Sequence, residues 1–114
     1  MPGNYQIDYV EFPSNDGTRT REFLGKAFGW LFTSYGPAYD EINGAGIGAG
    51  IDSDSDRPAA PLAVIRTIDL EAAERDVTAA GGIITRPAFD FPGGRRFHFR
   101  EPGGIELAVW ISRE

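Results

Sequence analysis

The feature that most constrains the fold of this chain is an order of elements that occurs twice. In the first half, "YQIDYVEF" alternates as a strand, with Val10 and Phe12 on one face and Ile7, Tyr9 and Glu11 on the other. "SNDGTRTREFLGKAFGW" follows as a helix. Asn15 or Asp16 caps it, Phe23, Leu24, Ala27 and Phe28 form its apolar stripe, and Gly29 ends it. "WLFTSY", "AYDEI" and "AGIGAGI" then read as short strands separated by Gly, Pro and Asn turn signals. After the acidic, Pro-bearing linker "DSDSDRPAAP", the order returns. "PLAVIRTI" is a strand, and "DLEAAERDVTAAGG" is a helix with Asp69 as N-cap and Gly81 as stop. "IITRP", "RRFHFR" and "IELAVWI" are three more strands.

Residue identity between the halves is low, so the repeat is one of pattern. It predicts a single α+β domain in which a helix covers one side of each sheet. One βαβββ module runs over about 5–51, a linker over about 52–60 and a second module over about 61–112.

The excess of acidic over basic side chains gives a formal charge of −6, which opposes binding to nucleic acid or to an anionic membrane. No apolar run approaches the roughly 18 residues of a membrane span. The start "MPGNYQIDYVEF" shows no signal peptide, so a cytosolic location is expected. The absence of Cys excludes disulfides, zinc–thiolate sites and thiol nucleophiles. With one His in the chain, no Ser-His-Asp arrangement can be argued. "GAGIGAG" is followed by neither a Lys-Ser/Thr pair nor a helix. Its glycines read as places where a strand bends, and no phosphate loop is expected.

Three motifs carry a family resemblance. "REFLGKAFGW" resembles the first-helix signature of the vicinal oxygen chelate superfamily, the glyoxalases, extradiol dioxygenases and bleomycin-resistance-type proteins. "VTAAGG" resembles the end of that family's second helix, and "FREPGGIEL" its final hairpin. The resemblance covers nearly the whole chain. It implies that the two modules curve into a half-open barrel around a pocket. In metal-using members, ligands come from the first and last strands of each module. By that resemblance the matching positions are Tyr9, Ile47 or Gly48, Ala63 and Glu106. A divalent ion needs about three or four N, O or S donors. One carboxylate and one phenol do not supply them, so no metal is expected, and Glu106 is the ligand if one binds.

The site candidates follow from the expected pairing of the last hairpin. If "EPGG" closes it with Phe99 opposite Glu106, then Phe97, Phe99, Glu106, Ala108 and Trp110 share one face. Ile105, Leu107 and Val109 then meet the helix layer, and His98 points away from Glu106 as a structural histidine. Arg86, Arg95 and Arg96 flank the loop "PAFDFPGG", which either closes over the pocket with Arg95 and Arg96 on an anionic ligand or stays solvated. Tyr9 and Glu11 share a face of the first strand, where Tyr9 either contacts a ligand or fills space.

The expected function is therefore a metal-independent member of that superfamily, binding a small anionic or aromatic molecule in an aromatic-lined pocket. Two other classes stand beside it. One is a divalent-metal lyase, isomerase or dioxygenase with Glu106 as ligand. The other is a structural or regulatory domain with a filled pocket. A homodimer is expected, because each curved half leaves an edge strand to be covered.

Overall fold

The computed structural model describes residues 4–113. Its elements come in the expected order: β1 (Gln6–Pro13), α1 (Gly17–Phe28), β2 (Leu31–Ser34), β3 (Tyr39–Asn43), β4 (Gly48–Asp52), β5 (Leu62–Arg66), α2 (Leu70–Ala79), β6 (Ile83–Phe91), β7 (Gly94–Arg100) and β8 (Glu106–Ser112). The fold class is α+β, built from two βαβββ modules. No helix among the described residues is long and apolar enough to cross a membrane. The chain divides into two compact units. One is Tyr9–Leu62; the other runs from Ala63 and includes the segment that ends at Asp8.

In the first unit, β1 pairs parallel with β4, β4 antiparallel with β3, and β3 antiparallel with β2. The helix α1 starts where the sequence says it should, because the Asp16 carboxylate accepts the Arg19 backbone N–H at 3.2 Å. It stops at Gly29, whose φ of +74° suits a residue without Cβ. The α1 side of the sheet carries the core: Ile42, Ala49 and Ile51 are buried, with Val10, Phe12, Leu24, Trp30 and Phe32 packed around them. Tyr9, Glu11 and Tyr39 face the other way, as strand alternation requires.

The second unit repeats the plan. β5 pairs parallel with β8, β8 antiparallel with β7, and β7 antiparallel with β6. Asp69 caps α2 by accepting the Ala72 N–H at 3.1 Å. The turn after α2 passes through Gly81 at φ +102°. The core under α2 is Leu70, Ala73, Phe97, Phe99 and Val109.

Two expectations for this unit are corrected. The segment expected as a loop over "PAFDFPGG" is mostly strand: β6 continues to Phe91, and only Pro92 and Gly93 turn before Gly94 pairs with Phe91. Pro87, the signal that ended the strand in the sequence reading, is accommodated by register shifts between Ile84 and Arg86 and between Arg86 and Phe89.

The register of the last hairpin is also one residue away from the expected one. Arg100, and not Phe99, lies opposite Glu106; Phe99 pairs with Leu107, His98 with Ala108 and Phe97 with Val109. The loop is longer than "EPGG", because the Glu101 N–H bonds the Ile105 carbonyl at 3.0 Å and places Ile105 inside the closing pair. The Glu101 carboxylate tightens that loop, accepting the N–H groups of Gly103 and Ile105 at 2.8 Å each. A slip of one residue exchanges the faces of every side chain. Phe97 (0 % exposed) and Phe99 therefore lie under α2, away from Glu106.

Candidate functional site

The corrected register assembles a polar face on the side of the second unit away from α2. Glu106 begins β8 with its side chain 22 % exposed. The Thr85 hydroxyl donates to its Oε2 at 2.8 Å, and the Arg100 guanidinium lies 3.7 Å from its Oε1. Thr85 reaches it because the first β6 irregularity inserts this residue between Ile84 and Arg86. His98, expected to point away, sits beside Glu106 with Nδ1 3.8 Å from Oε2. Only 2 % of His98 is exposed. Arg96 Nε donates to His98 Nε2 at 3.2 Å. A guanidinium has no acceptor, so Nε2 must be the bare nitrogen, and the ring proton on Nδ1 faces the carboxylate. Ala108, buried across from His98, leaves room for the ring and adds no polar group.

Guanidinium groups and aromatic rings alternate along the same face. Arg86 lies over the Phe89 ring at 3.9 Å, and Arg96 lies 5.7 Å from both Phe89 and Phe91. Phe91 stands 6.1 Å from Trp110, and Arg66 covers Trp110 at 5.1 Å. Trp110 is held in place by its indole N–H, which donates to Asp8 at 2.9 Å. Among the described residues no carboxylate comes within ion-pair distance of Arg86. A guanidinium stacked on a ring keeps its in-plane N–H donors for another partner, and is already oriented for one. Arg95, the other cation expected at the site, instead pairs with Asp90 at 3.0 Å and is exposed. Its strand neighbours Arg96 and Gly94 alternate with it, so it lies on the α2 side.

The first unit holds a separate polar cluster. Tyr9 and Tyr39 hydroxyls meet at 2.7 Å, and Tyr39 donates to Glu11 Oε2 at 2.9 Å. Glu11 is only 5 % exposed. Gly50 makes this possible, since a Cβ there would stand 2.1 Å from the Tyr39 hydroxyl and 2.6 Å from that of Tyr9. Burial, and then the nearby Glu11 charge, push the Tyr39 phenol pKa far above its ordinary range. A groove of about 500 Å³ in this unit, lined by Arg21, Glu22, Lys26, Trp30 and Leu31 among others, lies by α1 and β2. Arg21 in it is committed to Asp40 at 3.1 Å, so the groove offers little convergent chemistry.

The donor set does not fit a divalent ion in the manner that the resemblance implies. Tyr9 pairs with Gly48, which has no side chain. Ala63 pairs with Leu107 on the α2 side, so Val64, another apolar residue, occupies the face that carries Ala108. Among the described residues no group of three or more His, Asp or Glu side chains gathers.

Thr85, Phe89, Arg100, Arg66, Asp8 and Tyr39 escaped the sequence reading. Alternation in "RRFHFR" could have placed Arg96, His98 and Arg100 on one face, but Phe97 and Phe99 drew the assignment toward an aromatic pocket.

The fold is shared widely among solved structures. A glyoxalase/bleomycin resistance protein/dioxygenase superfamily member from Vibrio splendidus 12B01 superposes with a TM-score of 0.73 at 12% identity, covering 95% of this chain and 99% of that one. Methylmalonyl-CoA epimerase from Mycobacterium tuberculosis gives 0.72 at 14% identity, covering 95% and 88%. The Mn(II)-bound glyoxalase from Novosphingobium aromaticivorans gives 0.70 at 17% identity, covering 93% of this chain and 38% of that one. At these identities the likeness is one of fold. No curated protein matches in sequence. The family model Glyoxalase/Bleomycin resistance protein/Dioxygenase superfamily matches residues 6–109, and the chain belongs to that superfamily.

Proposed function

We propose that this chain binds a small organic anion, without a metal, on the arginine-rich face of its second unit. The observation that carries this reading is Arg86: a guanidinium stacked on Phe89 at 3.9 Å, with no carboxylate partner among the described residues. It shares its face with Arg96, His98 and Arg100. An oriented cation with unspent donors beside half-buried rings suits a carboxylate or phosphate attached to an apolar or aromatic body. Glu106, held by Thr85 and Arg100, supplies an acceptor on the same face for a ligand hydroxyl or amide. The metal-free part of the reading rests on the donor chemistry of the matched positions, Tyr9, Gly48, Ala63 or its neighbour Val64, and Glu106.

The test is thermal unfolding of chelator-treated protein against a panel of organic carboxylates and phosphates, with divalent ions as a separate arm. A ligand at about 100 times its Kd stabilises the native state by about 2.7 kcal/mol, which is readily measured. Aromatic or apolar acids raise Tm, and Arg86→Gln abolishes the rise while leaving the unliganded Tm close to the parent. A panel in which only divalent ions stabilise the protein contradicts the reading.

We propose further that the protein is a homodimer. Leu31 on β2 and Ile83 on β6, each at the end of its unit's strand order, are exposed hydrophobics of the kind a partner covers.

A further inference from the structure

The outer face of α1 packs on nothing among the described residues. Helical spacing predicts Phe23, Leu24, Ala27 and Phe28 as the stripe that meets the sheet, but of these only Leu24 packs on the core, and no residue of the helix is buried. Phe23 is 64 % exposed and Phe28 59 %. Their rings meet edge to face at 6.4 Å, and Phe28 continues onto Trp30 at 5.1 Å. Leu31, also exposed, extends this ridge at the start of β2. A contiguous apolar ridge of this kind marks a surface that another molecule covers.

The charges on the same face say what that molecule is. Arg19, Glu22, Phe23, Lys26 and Ala27 are exposed at helical spacing and form one outer stripe. Arg19 is matched by Asp16, and the neighbouring Arg21 by Asp40. Glu22 and Lys26 remain, neither with an ion-pair partner among the described residues. They are opposite in sign and one turn apart. A two-fold axis passing between them, perpendicular to α1, lays the helix antiparallel on a copy of itself and brings each charge onto the other's counterpart. The face is therefore complementary to itself, whereas a uniformly acidic or basic partner would meet one matched and one opposed charge. Beside the stripe lies the groove of about 500 Å³, lined by Glu22, Gly25, Lys26, Trp30 and Leu31 among others.

Building on the homodimer reading, we propose that a second copy of this chain docks on this face, α1 antiparallel to α1 about a two-fold axis. Glu22 faces the partner's Lys26, Lys26 faces the partner's Glu22, and the Phe23 ring of each copy enters the groove of the other.

The test is sedimentation equilibrium of the full chain and of Glu22→Lys, Lys26→Glu and Phe23→Ala, all at exposed positions, with circular dichroism to confirm the fold. Each charge reversal turns two attractive contacts into repulsive ones and should raise the dimer dissociation constant roughly tenfold or more. Phe23→Ala should do the same by removing an aromatic anchor. The decisive arm mixes Glu22→Lys with Lys26→Glu in equal amounts. Every reversed charge then faces an opposite one, so a heterodimer as tight as the parent dimer should form, an effect that local damage to α1 would not produce. A parent dimer indifferent to all three changes, or weakened variants that mixing fails to rescue, would overturn this docking face and leave the homodimer reading standing. A monomeric parent would overturn both and leave the ridge to a different protein.

Discussion

The register of the final hairpin decides which residues form the polar face, and Phe97→Ala tests it. In the observed pairing Phe97 lies opposite Val109 and packs with Leu70, Ala73, Phe99 and Val109 under α2. None of its surface is exposed. Its strand is flanked by β6 and β8, with α2 over it, so the surroundings cannot collapse far into the space that the ring leaves. Truncations of this kind cost about 3–5 kcal/mol, the sum of lost transfer energy and a residual cavity. That is a large part of the roughly 5–15 kcal/mol that holds a domain together. At about 4 °C per kcal/mol for a chain of this size, Tm should fall by roughly 12–20 °C. The assay is urea unfolding followed by tryptophan fluorescence, with Phe97→Leu as a volume-retaining control that loses far less. In the register expected from sequence, Phe97 would share the Glu106 face, and its loss would change ligand affinity more than stability. A loss below about 1 kcal/mol for Phe97→Ala, the size of an ordinary substitution, would refute the observed register.

Other outcomes follow from the same geometry. Gly94→Ala should unfold the protein or abolish soluble expression, because a Cβ there would lie 2.0 Å from the Ile111 carbonyl oxygen, a backbone atom that cannot step aside; circular dichroism of whatever is recovered checks it. The Glu101 carboxyl pKa is lowered by the Ile105 and Gly103 N–H groups, so its folded value lies below its unfolded value. The stability that it contributes is present above the unfolded carboxylate pKa of about 4.3 and is lost as pH falls through the folded one, so the parent's advantage over Glu101→Gln should shrink in acid unfolding titrations. Alkaline titration of the phenols at 295 nm should leave Tyr39 protonated for as long as the fold holds, so the folded parent and folded Tyr39→Phe should gain the same phenolate absorbance. Light scattering should give the mass of a dimer; a monomer mass would defeat that proposal.

The elements were legible because their signals are local. Asp16 and Asp69 announce helix starts by their own side-chain geometry, and Gly29 ends α1 because its φ of +74° disfavours a Cβ. Alternation in "YQIDYVEF" placed Tyr9 and Glu11 opposite Val10 and Phe12 without help from the rest of the chain. The site was less legible because it depends on register and on irregularities in β6, which are set across strands. Whether Glu106 meets Arg100 or Phe99 turns on one loop hydrogen bond, from the Glu101 N–H to Ile105. Whether Thr85 reaches Glu106 turns on an inserted residue that no local pattern announces. Pro87 carried a true local signal, an interrupted ladder, but β6 absorbs it and continues to Phe91. The cluster at Gly50 joins Tyr9, Tyr39 and Glu11 across β1, β4 and β3, and nothing short of the pairing of those strands reveals it.

The proposed anion site centres on Arg86, stacked on Phe89 and sharing its face with Arg96 and Arg100. The direct measurement is an NMR titration of the arginine Nε–H signals of chelator-treated protein with benzoate. The signals of Arg86, Arg96 and Arg100 should shift together along one saturable curve, while those of Arg19, which is exposed beside Asp16, and Arg95, which is paired with Asp90, stay in place. Uniform small shifts of all arginines, or no shift of Arg86 up to the solubility limit of the acid, would contradict it.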